Sequence, residues 1–211
     1  MSKSSSFLVA APPYRSHDIV LGAAFTGNGV GGQIVNNSNE NYLLNSNISA
    51  AAVINSQYLM GVSSLNVLII DQPSSFVNVD QVTNKILVSS MIFVTARRHL
   101  GLDKTIPVSL FFTVRQQFKP PVSGTLYCSF FNTTTSSWNE AGCTSPIRND
   151  IYNRFECSCN HLTSFALVWL PESASPGFNA QDIASIVFES VSIVCFLAVL
   201  VHAMVMRCRN R

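Results

Sequence analysis

Four of the six cysteines of this chain lie between residues 128 and 159, and this cluster constrains the fold more than any other feature of the sequence. Two cross-links within so short a segment would hold neighbouring strands together. A zinc site is the competing interpretation, but the spacing lacks the paired Cys-x2-Cys arrangement typical of structural zinc. An extracellular location, which the C-terminal sequence also indicates, favours oxidation. We therefore predict two disulfides and no metal site.

The four cysteines of the cluster are Cys128, Cys143, Cys157 and Cys159, and they allow three pairings. A bond between Cys157 and Cys159 across a single residue would be strained. Both remaining pairings tie these two cysteines to earlier strands. We prefer Cys128 with Cys157 and Cys143 with Cys159. Each bond would close a short loop and contribute about 2 to 4 kcal/mol.

Short β-rich runs separated by turn residues dominate the chain as far as residue 171. They predict a mainly β fold, a β-sandwich, for residues 18–171. The runs span residues 19–25, 65–70, 85–94, 108–114, 124–130, 155–159 and 165–170. Residues 49–60 fit either a short helix or an edge strand, because alanine favours a helix and the spacing of the larger residues does not decide. Residues 27–40 are rich in Gly and Asn and are predicted to form a loop.

An apolar segment at residues 183–206 predicts a single transmembrane helix. About 24 residues at 1.5 Å rise extend about 36 Å, enough to cross a hydrocarbon core of about 30 Å. A buried helix of a soluble domain is the alternative. Residues 207–211 form a tail with three arginines, Arg207, Arg209 and Arg211, which the positive-inside rule places in the cytoplasm. This topology puts the preceding residues, including a linker at 172–182, outside the plasma membrane.

Other features of the sequence bear on processing and on partners. Residues 1–17 contain no recognisable secretion signal, so we expect a truncated or linker segment there and a chain that is part of a longer protein, unless the membrane helix acts as an internal signal. N-glycosylation sequons occur at Asn36, Asn47 and Asn132, in predicted loops or at the edges of elements. The net charge of +2 is too small and scattered to indicate nucleic-acid binding.

Residues 161–163 carry the parts of an intramolecular acyl shift. His161 as general base would take the proton of the Thr163 hydroxyl, whose oxygen attacks the carbonyl carbon of Leu162 and converts the amide to an ester. Water would then hydrolyse the ester and cut the chain. Such a reaction requires a distorted backbone and donors for the oxyanion, which the fold must supply. The alternative is an ordinary exposed or core histidine two residues before a threonine.

The pattern of cysteine, tryptophan and histidine as a whole resembles a known motif. Cys128, Trp138 and Gly142-Cys143 precede the run Cys157-Ser158-Cys159-Asn160-His161-Leu162-Thr163-Ser164-Phe165-Ala166. This arrangement resembles the GPS motif of the GAIN domain in adhesion G-protein-coupled receptors. The resemblance assigns residues 124–171 to the GPS motif and residues 18–171 to a β-sandwich like GAIN subdomain B. Residues 183–206 are similar to the first transmembrane helix of these receptors.

The resemblance implies cleavage between Leu162 and Thr163, with His161 as base and Thr163 as nucleophile. It also implies that the strand beginning at Thr163 is a tethered agonist, held inside the fold after cleavage. The agonist residues that it indicates are Thr163, Phe165, Leu167, Val168 and Trp169. Val168 and Trp169 stand where Leu and Met are usual in the family. An ordinary core strand is the alternative for these residues.

The partners implied by the resemblance are the membrane, the chain's own cleaved N-terminal fragment and an extracellular ligand. In a full-length receptor they include a seven-helix bundle and a G protein. Because this chain has one predicted membrane helix, coupling to a G protein is not expected of it alone. A non-signalling single-pass or polycystin-like surface protein, acting in adhesion or as a decoy, is the alternative function. Apart from single-turnover self-cleavage, we expect no enzymatic activity and no cofactor.

Overall fold

The structure is a computed structural model that describes residues 6–11, 20–26, 31–71, 73, 80, 82–98, 105–115, 118, 123–172 and 192. The chain divides into two units, Met1–Glu172 and Ser173–Arg211, and the architecture below is that of the first. The predicted transmembrane helix at 183–206, apart from Ser192, and the predicted tail at 207–211 lie outside the described residues. No helix within the described part of the chain is long and apolar enough to span a membrane.

Strands account for most of the described residues, as the β-rich runs of the sequence predict. In chain order they are β1 Ser6–Ala11, β2 Val20–Phe25, β3 Gly32–Asn36, β4 Ala50–Asn55, β5 Val62–Ile70, β6 Ile86–Leu87, β7 Met91–Arg98, β8 Val108–Phe112, β9 Gly124–Asn132, β10 Ser137–Asn139, β11 Ile147–Asn149, β12 Arg154–Cys159 and β13 Ser164–Pro171. A short α-helix, α1 at Glu40–Leu44, precedes β4, and a single 3-10 turn at Ser56–Tyr58 follows it.

The strands form two antiparallel sheets. Sheet 1 has the order β1-β5-β7-β13-β9-β10, and the short strand β6 also pairs with β13. Sheet 2 has the order β11-β12-β8-β4-β2-β3. The last strand in sequence, β13, therefore lies in the interior of sheet 1, with β9 on one side and β7 and β6 on the other. Its predecessor β12 belongs to sheet 2.

The two sheets pack face to face, and side chains from both form the main core. In β5, Val67 and Ile69 are buried and alternate with more exposed residues. Leu110 and Phe112 of β8 do the same from sheet 2. This period of two is what a strand with one face in a core requires. The predicted mainly β fold is therefore confirmed, and its two sheets form a sandwich.

Of the two alternatives predicted for residues 49–60, the strand is correct for Ala50–Asn55, but its position at a sheet edge is wrong. Ala50–Asn55 is neither a helix nor an edge strand, because it pairs with β2 on one side and β8 on the other. Its small side chains suit a strand buried on both faces, and a Cβ added at Gly22 of β2 would lie 2.0 Å from the carbonyl oxygen of Ala52. Tertiary packing therefore outweighs the preference of alanine for a helix.

Other parts of the chain also differ from the predictions. Residues 27–40, predicted to be a loop, contain strand β3 at the edge of sheet 2. Gly32 is needed there because the ring of Phe7 occupies the position that a side chain would take. Residues 85–94, predicted as one strand, are interrupted between β6 and β7. At the N-terminus, β1 lies within the segment 1–17 and pairs with β5, so sheet 1 begins before residue 18.

Candidate functional site

Residues 160–163 connect β12 of sheet 2 to β13 in the interior of sheet 1. The connection crosses from one sheet to the other within four residues, so it cannot move independently of either. His161, Leu162 and Thr163 are all half-buried there. Leu162 packs against the main core. The carbonyl oxygen of Thr163 accepts a hydrogen bond of 2.9 Å from the backbone N–H of Val94 in β7.

The imidazole of His161 has two ring nitrogens in different surroundings. Nδ1 lies 3.0 Å from Oδ1 of Asn160. Nε2 is buried and has no hydrogen-bond partner among the residues that the structure describes. The ring stands edge-on to Phe130, with centroids 4.6 Å apart, and lies 5.5 Å from the ring of Phe165. Burial lowers the pKa of His161 from its ordinary value of 6.5, because an apolar environment disfavours the charged imidazolium. A neutral imidazole is the form that can accept a proton.

The residues on each side of the Leu162–Thr163 bond have ordinary φ angles. Among the described non-glycine residues, left-handed φ angles occur at Asn84, Ser136 and Asn153, away from residues 161–163. The strain that the acyl shift requires at the Leu162–Thr163 bond therefore does not take the form of a left-handed φ.

Two disulfides surround the site, and the disulfide bonds predicted from the sequence are confirmed. They join Cys128 to Cys157 and Cys143 to Cys159, which is the pairing preferred from the sequence. The first links β9 of sheet 1 to β12 of sheet 2. The second ties the segment before β11 to the last residue of β12, two residues before His161.

Backbone hydrogen bonds reinforce the second disulfide on both sides. Thr144 donates its N–H to the carbonyl oxygen of Ser158 at 2.8 Å, and Asn160 donates its N–H to Gly142 at 2.9 Å. Cys143 and Cys159 lie directly opposite each other between these two bonds. The residue that precedes His161 is therefore fixed through its backbone.

Strand β13, which follows the candidate bond, is buried on both faces. Phe165, Leu167 and Trp169 face the main core between the sheets. Ala166 and Val168 face a second cluster that includes Trp138. All five of these side chains are at most 3% exposed. This explains why 165–170 is a continuous apolar run rather than an alternating one.

The edge of β13 that faces β6 and β7 is held in part by a side chain. Val88 donates its N–H to the carbonyl oxygen of Leu167 at 3.1 Å, and the N–H of Leu167 donates to Oγ of Ser89 at 2.9 Å. Ser89 lies in the interruption between β6 and β7, where its hydroxyl replaces a backbone partner. Sequence reasoning missed this role, although two adjacent serines in an otherwise apolar run were a signal for it.

A buried polar network fixes Trp138 over the outer face of β13. Asp80 accepts a hydrogen bond of 2.8 Å from the N–H of Trp138, and Nζ of Lys85 donates to the carbonyl oxygen of Trp138 at 3.0 Å. Lys85 also pairs with Oε1 of Glu140 at 2.6 Å, which accepts a second hydrogen bond from Ser129. Both backbone groups of Trp138 are therefore satisfied by side chains, as a buried residue requires. Sequence reasoning assigned none of these partners.

Opposing influences set the pKa of Asp80. Burial raises it, and hydrogen bonds from the Thr83 hydroxyl and from the backbone N–H groups of Trp138, Thr83 and Val82 lower it. The hydrogen bonds prevail, so the pKa lies below its ordinary value of 3.8. The carboxylate is therefore charged at neutral pH and can hold Trp138 in place.

The predicted glycosylation residues lie at the ends of elements. Asn36 ends β3 and Asn132 ends β9, while Asn47 is exposed between α1 and β4. The side-chain oxygens of Asn36 and Asn132 each accept a backbone N–H two residues further on. Glycosylation itself stays a prediction. In the part of the chain that the structure describes, no group of three or more His, Cys, Asp or Glu side chains could hold a metal ion.

Comparison with protein families identifies the class to which this sandwich and site belong. The family model of the GPS, described as GAIN subdomain B, matches residues 28–173 of the 211. The match extends from before β3 to the end of β13 and includes both disulfides and residues 161–163. The chain therefore belongs to the GPS and GAIN subdomain B family.

Two curated proteins that are similar to part of this chain are adhesion G protein-coupled receptors. The chain is 38% identical over 82 residues to adhesion G protein-coupled receptor F5 of Rattus norvegicus and 37% identical over 82 residues to the protein of the same name from Mus musculus. Each match covers 35% of this chain and 6% of the receptor. The chain thus spans a small part of the length of the relatives that it matches.

Proposed function

We propose that this chain is an autoproteolytic GPS module that cuts its own backbone between Leu162 and Thr163. The observation that carries the proposal is the buried Nε2 of His161, an atom of a neutral imidazole with no described hydrogen-bond partner, two residues from a hydroxyl. A buried polar atom without a partner is unusual in a folded protein, and a catalytic role is one of the few reasons for which it persists.

The proposed reaction balances within the chain and one water molecule. Nε2 of His161 takes the proton from Oγ of Thr163, and Oγ attacks the carbonyl carbon of Leu162. The bond between this carbon and the nitrogen of Thr163 breaks, and the nitrogen receives the proton from His161. Water then hydrolyses the resulting ester, which leaves a carboxylate on Leu162 and a free amine and hydroxyl on Thr163.

Strand β13 becomes the new N-terminal segment of the downstream fragment, and we propose that it acts as the tethered agonist. The cut would fall at the start of β13, while the pairing of β13 with β9 along residues 165–171 is untouched by it. Burial of Phe165, Leu167 and Trp169 contributes about 1.5 to 3 kcal/mol for each side chain. The two fragments would therefore stay associated until the strand is withdrawn from between β7 and β9.

The setting of this module is proposed from family membership and from sequence. We propose that the sandwich lies outside the plasma membrane and is followed by the predicted membrane helix at 183–206. Its glycans would sit at Asn36, Asn47 and Asn132. In a full-length receptor the freed strand would act on the helical bundle and, through it, on a G protein. These steps involve parts that the described residues do not contain.

The test is expression in a secretory cell with different tags at the two ends. We expect a downstream fragment whose N-terminal residue is Thr163, and a single uncut species for Thr163→Ala or His161→Ala. Co-purification of both fragments under native conditions, and their separation in denaturant, would support the retained strand. An uncut chain with both disulfides formed would overturn the cleavage proposal.

A further inference from the structure

Asn160 contacts the imidazole of His161 on the side opposite to its buried nitrogen. Its side-chain oxygen lies 3.0 Å from Nδ1, while Nε2 has no described partner. A neutral imidazole carries one N–H, on one nitrogen or the other. An amide oxygen can only accept, so the nitrogen that faces Asn160 carries the hydrogen. Nε2 is then left with its lone pair, which is what a general base needs.

Asn160 is itself seated by Gly142. The N–H of Asn160 donates to the carbonyl oxygen of Gly142 at 2.9 Å. Gly142 has a φ of +79°, and a Cβ added there would lie 2.3 Å from the side-chain oxygen of Asn160. Only glycine adopts this backbone readily and also leaves room for the amide. Cys143 follows Gly142 and Cys159 precedes Asn160, so the disulfide between these cysteines holds Gly142 and Asn160 close together.

We infer that Asn160, seated over Gly142, is a positioning residue that fixes His161 in the tautomer with hydrogen on Nδ1 and the lone pair on Nε2. The consequence for cleavage rests on the proposed autoproteolysis, whereas the tautomer itself does not. Asn160 touches none of the atoms that react, so its effect acts through His161. The same geometry gives Gly142 a role in seating Asn160.

The tautomer can be measured in a chain that cannot cut itself. We would label histidine with 15N in the full chain carrying Thr163→Ala, in detergent micelles, and identify the ring signals of His161 by their loss in His161→Gln. We expect a protonated Nδ1 and an unprotonated Nε2. Adding Asn160→Ala should shift the population toward hydrogen on Nε2. A hydrogen on Nε2 in the parent, or an unchanged tautomer after Asn160→Ala, would overturn the inference.

Cleavage rates provide the functional arm, with Thr163 intact. We expect Asn160→Ala and Gly142→Ala to slow cleavage by about tenfold or more, a fraction of what a general base contributes. Asn160→Asp keeps an acceptor toward Nδ1 and should cleave faster than Asn160→Ala. Asn139→Ala is the matched control, because Asn139, the last residue of β10, accepts a hydrogen bond from the N–H of Ala141 without a described contact to His161.

The two arms separate this inference from the proposal on which it rests. A parent chain that never cuts would overturn autoproteolysis, and the tautomer of His161 would still test the role of Asn160. A parent that cuts, together with an Asn160→Ala chain that cuts equally fast, would overturn the role of Asn160 alone. Disulfide mapping of each variant shows whether Cys143 and Cys159 are still paired, so that misfolding is not mistaken for loss of positioning.

Discussion

His161 has distinct surroundings on each side of its ring. One ring nitrogen is engaged by the preceding residue, the other is buried without a described partner, and two phenylalanine rings lie close to the imidazole. These neighbours keep the ring neutral and oriented. A merely structural histidine would be expected to use both nitrogens.

The lowered pKa of His161 predicts how cleavage depends on pH. Burial disfavours the imidazolium of the folded protein, so the base becomes half protonated only at a pH below 6.5. We expect the rate of cleavage, followed from a denatured precursor on refolding, to be highest at neutral pH and to fall to half of that value at a pH below 6.5. A midpoint above pH 6.5 would contradict the account of a desolvated base.

At the scale of elements, β13 is a buried strand in the interior of sheet 1. It pairs with β9 along residues 165–171 and is covered on its two faces by the main core and by the Trp138 cluster. On its other edge, the hydroxyl of Ser89 replaces a backbone partner for Leu167. Retention of this strand after a cut thus depends on contacts far from it in sequence.

Removal of the Ser89 hydroxyl should loosen β13. In the Thr163→Ala background, we expect Ser89→Ala to lower the free energy of unfolding by about 1 to 3 kcal/mol, because the buried N–H of Leu167 loses its acceptor. Urea titration followed by tryptophan fluorescence suits this test, since of the two tryptophans Trp169 lies in β13 and Trp138 packs against its outer face. Ser109→Ala, at an exposed position of β8, is the matched control and should stay within about 0.5 kcal/mol. Equal effects of the two changes would contradict this role for Ser89.

Trp138 gives a second test at the same scale. We expect Trp138→Ala to lower the free energy of unfolding by about 3 to 5 kcal/mol, since the side chain is 2% exposed and covers the outer face of β13. In the cut protein the same change should lower the urea concentration at which the two fragments separate. Separation at an unchanged concentration would mean that the outer face of β13 contributes little to its retention.

Sequence reasoning succeeded for some elements and failed for others for physical reasons. Three of the predicted strands lie within observed strands, because their β-rich composition is visible in the sequence itself. They are residues 124–130, 155–159 and 165–170. The short strands β3, β10 and β11 span only three to five residues, too few to show an alternating pattern, and they pair with β2, β9 and β12. The contact of Ser89 with Leu167 spans 78 residues of sequence, so the two adjacent serines could indicate a polar contact but could not identify its partner.

At the scale of the whole molecule, the two disulfides have different tasks. Cys128–Cys157 joins the two sheets, with a sequence separation of 29, whereas Cys143–Cys159 joins two segments next to the site, with a sequence separation of 16. Loop-closure entropy gives each a stabilisation of about 3 to 4 kcal/mol. Their contributions to stability are therefore similar, and their contributions to the site are not.

This difference predicts a separation of stability from cleavage. Replacing either pair of cysteines by alanine should lower the free energy of unfolding by a similar amount, measured by urea titration in the Thr163→Ala background. With Thr163 intact, loss of Cys143–Cys159 should slow cleavage about tenfold or more, because it frees Asn160 and with it the general base. Loss of Cys128–Cys157 should slow cleavage less. The reverse order would contradict the role assigned to the second disulfide.

The most direct test of the whole account is the mass and the N-terminal sequence of the downstream fragment made by the full chain in a secretory cell. The account predicts a fragment that begins at Thr163 in the parent, and an intact chain for Thr163→Ala with both disulfides present. A parent chain that folds, forms both disulfides and remains uncut, or one that is cut at another bond, would contradict it.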